Sequence, residues 1–309
     1  VNVVAIAGGT GAAKLLRGLA ACVRPHELTV IGNTGDDAEI WGLHVSPDLD
    51  TVTYALAGRL DVERGWGLAG ETFRCLEAMA TLGAETWFNL GDRDLATHLY
   101  RTGRRRSGVP LSAVTAEIAR SLGVAVRLLP VTDDPVRTRV RTADGWLGFQ
   151  EYFVREKALV DVQDIVYAGA EVARPAPGVC EALAGADLIV VCPSNPVTSV
   201  GPILAVPGIV AALAAARAAV VAVSPIVGSA AVSGPAGALM RARGLPVSPA
   251  GVARAYAPWL DALLIDTRDQ DRGGAVSAEG ARPITAEIIM TDKAAEVALA
   301  RRVLEAVAR

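Results

Sequence analysis

The chain has 309 residues, 51% of them apolar, and a net charge of -3 with both signs interspersed. That length allows one large domain or two ordinary ones with a sizeable core. The charge balance excludes a basic nucleic-acid footprint and an acidic solvating tail. The first element is an apolar run, Val3 to Ala7, read as a buried strand. Gly8, Gly9 and Gly11 break it, and Ala12 to Val23 follows as a helix with Leu15, Leu16, Leu19 and Ala20 on one face. Leu28 to Ile31 is a second strand, ending in the turn-rich polar stretch Gly32 to Asp37. Ser46 to Thr51 is a further acidic loop. In an extended segment its Asp48 and Asp50, alternating about Leu49, share one face.

The middle of the chain differs. Glu71 to Leu82 and Leu111 to Leu122 read as helices. Arg104, Arg105 and Arg106 form a short basic run assigned to a loop, either a solvated turn or a phosphate contact. Thr138 to Thr142, Ala143-Asp144-Gly145 and Trp146 to Phe153 read as an antiparallel hairpin. Buried strands then return at Leu188 to Val191, Val220 to Val223, Leu263 to Ile265 and Ile288 to Met290, and Ala294 to Val307 closes the chain as a helix. Short apolar runs alternating with helical patterns indicate an α/β fold, a parallel sheet covered by helices. The core takes residues 1–50 and 181–309, with a mixed α/β insertion over 51–180.

Cys22, Cys75, Cys180 and Cys192 show no CxxC or zinc spacing, and read as small buried hydrophobes in a reducing compartment. His26, His44 and His98 form no conventional zinc motif. The apolar start lacks a charged leader region. The longest apolar stretch, residues 209–223, is broken by Arg217 and is shorter than the roughly 20 residues of a span. A soluble cytoplasmic protein is expected.

In an open parallel sheet, ligands sit outside the carboxyl ends of the strands. Ala7-Gly8-Gly9-Thr10-Gly11-Ala12-Ala13-Lys14 offers free backbone N–H groups at a helix start, the arrangement that binds phosphate. Its spacing meets neither the dinucleotide nor the P-loop pattern, and a tight structural turn is the alternative. Asp36, Asp37, Asp48 and Asp50 suit a hard cation such as magnesium, or a solvated acidic loop. Within Asn89 to His98, Asp94 is an N-cap candidate, Arg93 a candidate anion or carboxylate contact, and His98 a candidate base or a packed histidine. Cys192 to Pro202, with Ser194 and Asn195, and the Ser224-Pro225 loop follow strands and offer further polar cradles. For both, an ordinary strand-to-helix connection is the alternative. No GxSxG elbow supports a serine nucleophile.

Taken together these loops resemble the 2-phospho-L-lactate transferase family of coenzyme F-420 biosynthesis. The matching strings run in family order over nearly the whole chain. They are Gly8-Gly9-Thr10-Gly11, Asn33-Thr34-Gly35-Asp36-Asp37, Ser46 to Thr51, Arg64-Gly65-Trp66-Gly67, Leu90 to His98, Leu129-Pro130 with Thr132-Asp133-Asp134, Phe149-Gln150-Glu151, Pro193 to Pro196, Ser199 to Ile203 and Ser224-Pro225-Ile226. The resemblance implies a Rossmann-like core, a homodimer and a magnesium requirement. It implies transfer of a phospholactyl or phosphoenolpyruvyl unit from a guanosine diphosphate-linked donor to the deazaflavin Fo, with release of GMP. It places Fo near Asp50 and Asn89, with Arg93 and His98 in the same segment, and the metal at Asp36 and Asp50, the two residues implied in catalysis. The guanylyl part falls over Gly8, Gly9, Thr10, Gly11 and Lys14, with Ser194, Asn195, Ser224 and Pro225. A related gluconeogenesis-factor family, which binds nucleotide sugars in a regulatory role, is the rival reading. A nicotinamide-dependent dehydrogenase with Asp36 on the ribose is disfavoured by the missing third glycine.

Overall fold

The computed structural model describes residues 1–306. Seven short runs of small and branched apolar residues build its principal sheet. They are β1 (Val3–Ala7), β2 (Leu28–Gly32), β3 (Arg127–Pro130), β4 (Leu188–Val191), β5 (Ala219–Val223), β6 (Ala262–Asp266) and β7 (Arg282–Ala286). They lie in the order β7-β6-β5-β4-β1-β2-β3, and every pairing is parallel. This is a Rossmann-like α/β core. Successive side chains of β1 feed opposite faces. Val4 and Ile6 join one core, and Val3, Ala5 and Ala7 the other. With both faces covered, β1, β2, β4, β5 and β6 read as largely apolar runs and were expected; the edge strands β3 and β7, which carry arginine and proline, were not.

Chain order reverses between β1 and β4, so the strand ends diverge there and leave a crevice above their carboxyl termini. β3 lies within residues 51–180 and closes one edge of the sheet beside β2. The rest of that segment adds the helices Arg74–Thr81 and Leu111–Ser121 and a three-stranded antiparallel sheet of Arg137–Thr142, Gly145–Gly148 and Asp164–Ala168.

Four helices matter most for the site: α1 (Gly9–Cys22), α2 (Pro47–Leu56), α3 (Asp92–Arg106) and α4 (Lys293–Glu305). Several expectations are corrected. Ser46 to Thr51 is not an extended loop: Pro47 at the first helical position and two acids in the first turn start α2. Asp94 is not the cap of α3. Gly91 takes that place, and Asp94 sits inside the first turn. Arg104, Arg105 and Arg106 form the last turn of α3, where cations suit the helix dipole, and they bind Glu117 and the carbonyls of Val109, Asp133 and Gly42. The expected strand 146–153 stops at Gly148, whose N–H is taken by Glu151 at 2.6 Å as the chain turns helical. Ile288 to Met290 is not a strand. It runs beyond β7 with Ile288 and Met290 buried, and the Met290 carbonyl accepts from Lys14 Nζ at 3.1 Å. The closing helix is Lys293–Glu305, and Val307 lies outside the described residues. Among the described residues no helix is long and apolar enough to cross a membrane.

α1 and α4 pack on the same sheet face and meet closely. A Cβ at Gly18 would fall 2.2 Å from the Glu296 carbonyl oxygen. Alanine is the better helix former by about 1 kcal/mol. Overpacking against rigid backbone costs roughly 1–3 kcal/mol. Gly18→Ala is therefore expected to lower the urea midpoint despite its propensity. A raised midpoint would show that the two helices can part freely.

Candidate active site

The glycine loop is built by close approach. Gly9 has φ +74, and a Cβ at Gly11 would stand 2.3 Å from the Pro193 carbonyl oxygen. At Gly8 a Cβ would meet Asp48 Oδ2 at 2.5 Å and Ser199 Cβ at 2.8 Å. The Gly8 peptide is gripped by one hydroxyl. Its N–H donates to Ser194 Oγ (3.3 Å), and Ser194 Oγ donates to its carbonyl (2.8 Å). The start of α1 carries no acid in its first turn, so its positive end is uncompensated from within the helix. Asn195 Oδ1 caps the following turn by accepting from Val197 N at 2.9 Å. Ser224 Oγ donates to the Ile226 carbonyl (2.7 Å) and accepts from its N–H (3.1 Å), shaping the loop after β5.

The acids separate into two groups. Asp36 and Asp48 are buried, and among the described residues neither meets a cationic side chain. Burial, then the Asp48 charge, raises the Asp36 carboxyl well above the ordinary range, and its Oδ1 has no hydrogen-bond partner. Burial also pushes Asp48 up to about 6, although Asn33 Nδ2 donates to its Oδ2 at 2.9 Å. Asp37 lies behind them, bound by Ser46 Oγ (2.9 Å) and His44 Nε2 (2.8 Å).

Asp50 faces the other way. A helix turns 100° per residue, so Asp48 and Asp50 point to different sides of α2. Arg101 grips both Asp50 oxygens, through Nη1 to Oδ2 (3.1 Å) and Nη2 to Oδ1. Arg101 is only 2% exposed. Burial would lower its pKa, but Asp50 raises it further, so the guanidinium stays charged. His98 lies 3.7 Å from Asp50 through Nδ1 and 3.4 Å from Asp94 through Nε2. Tyr54 OH donates to Asp94 Oδ1 at 2.5 Å. Burial pushes the Asp94 carboxyl up, but His98 and Tyr54 outweigh it and leave the carboxyl below its usual range.

Both groups line one cleft of about 620 Å³. It gathers Gly8, Gly9, Thr10, Gly11, Lys14, Asp36, Asp50, Asn89, His98, Ser194, Asn195, Ser224 and Pro225, all expected from the sequence. Arg93 is not brought there. It is exposed on α3 and donates to the Ala69 carbonyl at 3.0 Å. The cleft lining also carries Trp66, Phe88, Phe149 and Phe153, and the last two rings stack at 5.7 Å.

The sequence matches the family described as 2-phospho-L-lactate transferase CofD over residues 3–304. A phosphoenolpyruvate transferase of Streptomyces griseus is 49% identical, covering 99% of this chain and 98% of its own. A 2-phospho-L-lactate transferase of Methanosarcina acetivorans is 42% identical, covering 96% of each. A crystal structure of a UPF0052 family member from Bacillus halodurans superposes with TM-score 0.67 at 18% identity, over 98% of each chain, which shows the fold alone. The chain belongs to the CofD family. It is thus a transferase acting on phosphate-bearing substrates.

A hard cation fits this family member at Asp36 and Asp48 better than at the expected pair Asp36 and Asp50. The first two are buried acids without a cation, one with an orphaned oxygen, whereas Asp50 is already matched by Arg101. Among the described residues no group of three or more His, Cys, Asp or Glu side chains is arranged to hold a metal ion. Two carboxylates are the number a magnesium ion commonly takes from protein, the rest of its shell being water and phosphate. Sequence reasoning missed Arg101, Tyr54 and the role of Asp94. Their signal was helical spacing: Tyr54 stands four residues after Asp50, and Arg101 three after His98.

The folded-state pKa of Asp48 lies above its unfolded value, so folding favours the protonated form. That contribution is complete below about pH 4 and is lost as pH rises through about 6. In metal-free buffer at pH 8, Asp48→Asn is expected to melt roughly 5 °C above the parent, with the two converging near pH 4. An equal or lower melting point at pH 8 would mean that the carboxylate is compensated in the free protein.

Proposed function

We propose that this enzyme transfers a phosphoenolpyruvyl or phospholactyl unit from a guanosine diphosphate-linked donor to the terminal ribityl hydroxyl of Fo, releasing GMP. One observation carries the reading. A single cleft combines backbone N–H groups and two uncompensated acids with an anchored carboxylate and four aromatic rings. The N–H groups and free acids suit a diphosphate with its counter-ion, and the rings suit a flat tricyclic acceptor whose polyhydroxyl chain the anchored carboxylate can meet.

Asp36 and Asp48 would hold the magnesium, which supplies charge neutralisation on the diphosphate. Gly8 to Gly11 present the N–H groups that receive phosphate oxygens. Asp50, held by Arg101, accepts the hydrogen bond of the attacking hydroxyl and orients its oxygen. That oxygen forms the new P–O bond, its proton passes to Asp50, and the P–O bond to GMP breaks. Asn89 and His98 flank the same acceptor. Ser224, Pro225 and Asn195 line the side given to the guanylyl group. The enolpyruvyl donor is favoured over the lactyl one, because the phosphoenolpyruvate transferase of Streptomyces griseus is more similar (49%) than the 2-phospho-L-lactate transferase of Methanosarcina acetivorans (42%). A cytoplasmic homodimer completes the proposal.

Fo titrated into the protein should bind saturably by its own fluorescence, more tightly with GDP and magnesium present. Absence of Fo binding under every condition would sink the reading and favour a nucleotide-binding regulator. In turnover, Asp50→Ala is expected to lower kcat by more than about 100-fold. Arg101→Lys keeps the charge but loses the paired grip, and should lower kcat roughly tenfold with the fold intact. Near-parental kcat in both variants would remove this anchored carboxylate from the mechanism.

A further inference from the structure

Past β5 the chain makes a small hairpin, Ile226–Val227 with Ala230–Ala231, and then runs through Val232, Ser233, Gly234 and Pro235, all on the cleft wall. This wall projects, and Val232 is 52% exposed. Behind it stands a feature that none of the site chemistry uses. Asp269, 1% exposed in the turn after β6, accepts the Gly228 N–H with both carboxylate oxygens, at 3.0 and 2.8 Å. Arg272 donates through Nη1 to the Gly228 carbonyl at 3.0 Å, and its Nε is 3.1 Å from Asp269 Oδ1. The N–H and the carbonyl of one residue at the hairpin turn are thus both held by an ion pair more than forty residues away in sequence.

A buried carboxylate is costly to keep, and a two-residue hairpin turn needs neither charge to form. Gly228 itself has φ +63, a conformation suited to glycine, with open space where a Cβ would be. The pair therefore serves position and not local geometry. It fixes where the hairpin stands relative to β6 and so where residues 232–235 stand over the cleft. Those residues follow β5 on the donor side, across the switch point from Asp50 and His98.

We propose that Asp269 and Arg272 are positioning residues for the nucleotide end of the cleft, clamping the Gly228 backbone so that the wall 232–235 is in place before the donor arrives. This rests on the reading that the cleft takes a guanosine diphosphate. A preset wall removes ordering that binding would otherwise have to impose, so its loss should appear in donor affinity and not in the chemical step.

The full-length protein and its Arg272→Gln and Asp269→Asn variants are compared in three measurements. Arg272 is largely solvated, so its variant tests the clamp even where Asp269→Asn folds poorly. GDP affinity should fall roughly tenfold in Asp269→Asn and less in Arg272→Gln. Donor KM should follow it, while kcat and Fo affinity stay at parental values. Hydrogen exchange should rise in residues 226–235 and nowhere else. Unchanged GDP affinity, or an equal loss of Fo affinity, would overturn the proposal. If the parent binds no GDP, the functional reading fails by itself. The clamp is then judged on exchange alone, and unchanged exchange in the hairpin would refute it.

Discussion

Negative charge gathered in a desolvated cleft has to be answered, and the way it is answered organises this protein. Asp36, Asp48, Asp50 and Asp94 all line one cavity. Bringing carboxylates together out of water favours their protonated forms unless cations or donors are supplied. Asp50 is given a guanidinium, and Asp94 a histidine and a phenol, all from α2 and α3. Among the described residues Asp36 and Asp48 receive no cation, only neutral neighbours such as Asn33 and Thr138, and their carboxyls are pushed upward. The unanswered half is where an external cation has something to do. The answered half is where a carboxylate is held fixed and ionised, ready to take a proton.

That division depends on the crowding at the sheet's switch point. Gly8 lies against the Asp48 and Ser199 side chains, and Gly11 against the Pro193 carbonyl, so the loops that follow β1, β2 and β4 are packed tightly at the floor of the crevice. The same compression that lets backbone N–H groups reach a phosphate keeps water from relieving the acids. The hydroxyl of Ser194, expected to touch nucleotide, is already committed to both sides of the Gly8 peptide. On the proposed reading, part of its contribution is to hold the loop that receives phosphate.

The five inner strands of the parallel core were legible because strands buried on both faces leave continuous apolar runs, and β1 and β4 were read to the residue, whereas the edge strands β3 and β7, each beginning with an arginine, escaped. The cleft lining was legible because polar residues after such strands have few other places to go. What escaped was the orientation of the acids. Asp48 and Asp50 were placed on one face because the segment was read as extended. Pro47 makes it the first turn of a helix and sends them apart. Arg101 escaped for a related reason. A lone arginine on a helix carries no motif, and its partner is 51 residues away. Ile288 to Met290 misled because an apolar triplet packs equally well as an edge strand or as an extended segment that buries alternate residues. Periodicity cannot separate the two over three residues.

The first turn of α2 then bears on how one fold can serve different ends. A chain with 18% identity shares the architecture, and a fold by itself does not fix a chemistry, which lives in the residues of the site. Two residues apart, Asp48 looks toward the glycine loop and Asp50 toward α3, and the helix start between them fixes their separation rigidly. On the proposed reaction, the phosphorus under attack has to lie between a cation on the Asp48 side and a hydroxyl on the Asp50 side. Phosphoryl transfer depends chiefly on such placement, since the protein contributes little covalent chemistry. A relative that kept the glycine loop but lost the Asp50–Arg101 pair would retain a nucleotide site with nothing to aim an acceptor at it. On the proposed reaction, the anchored carboxylate, more than the glycine loop, is what would separate a transferase on this scaffold from a protein that only binds.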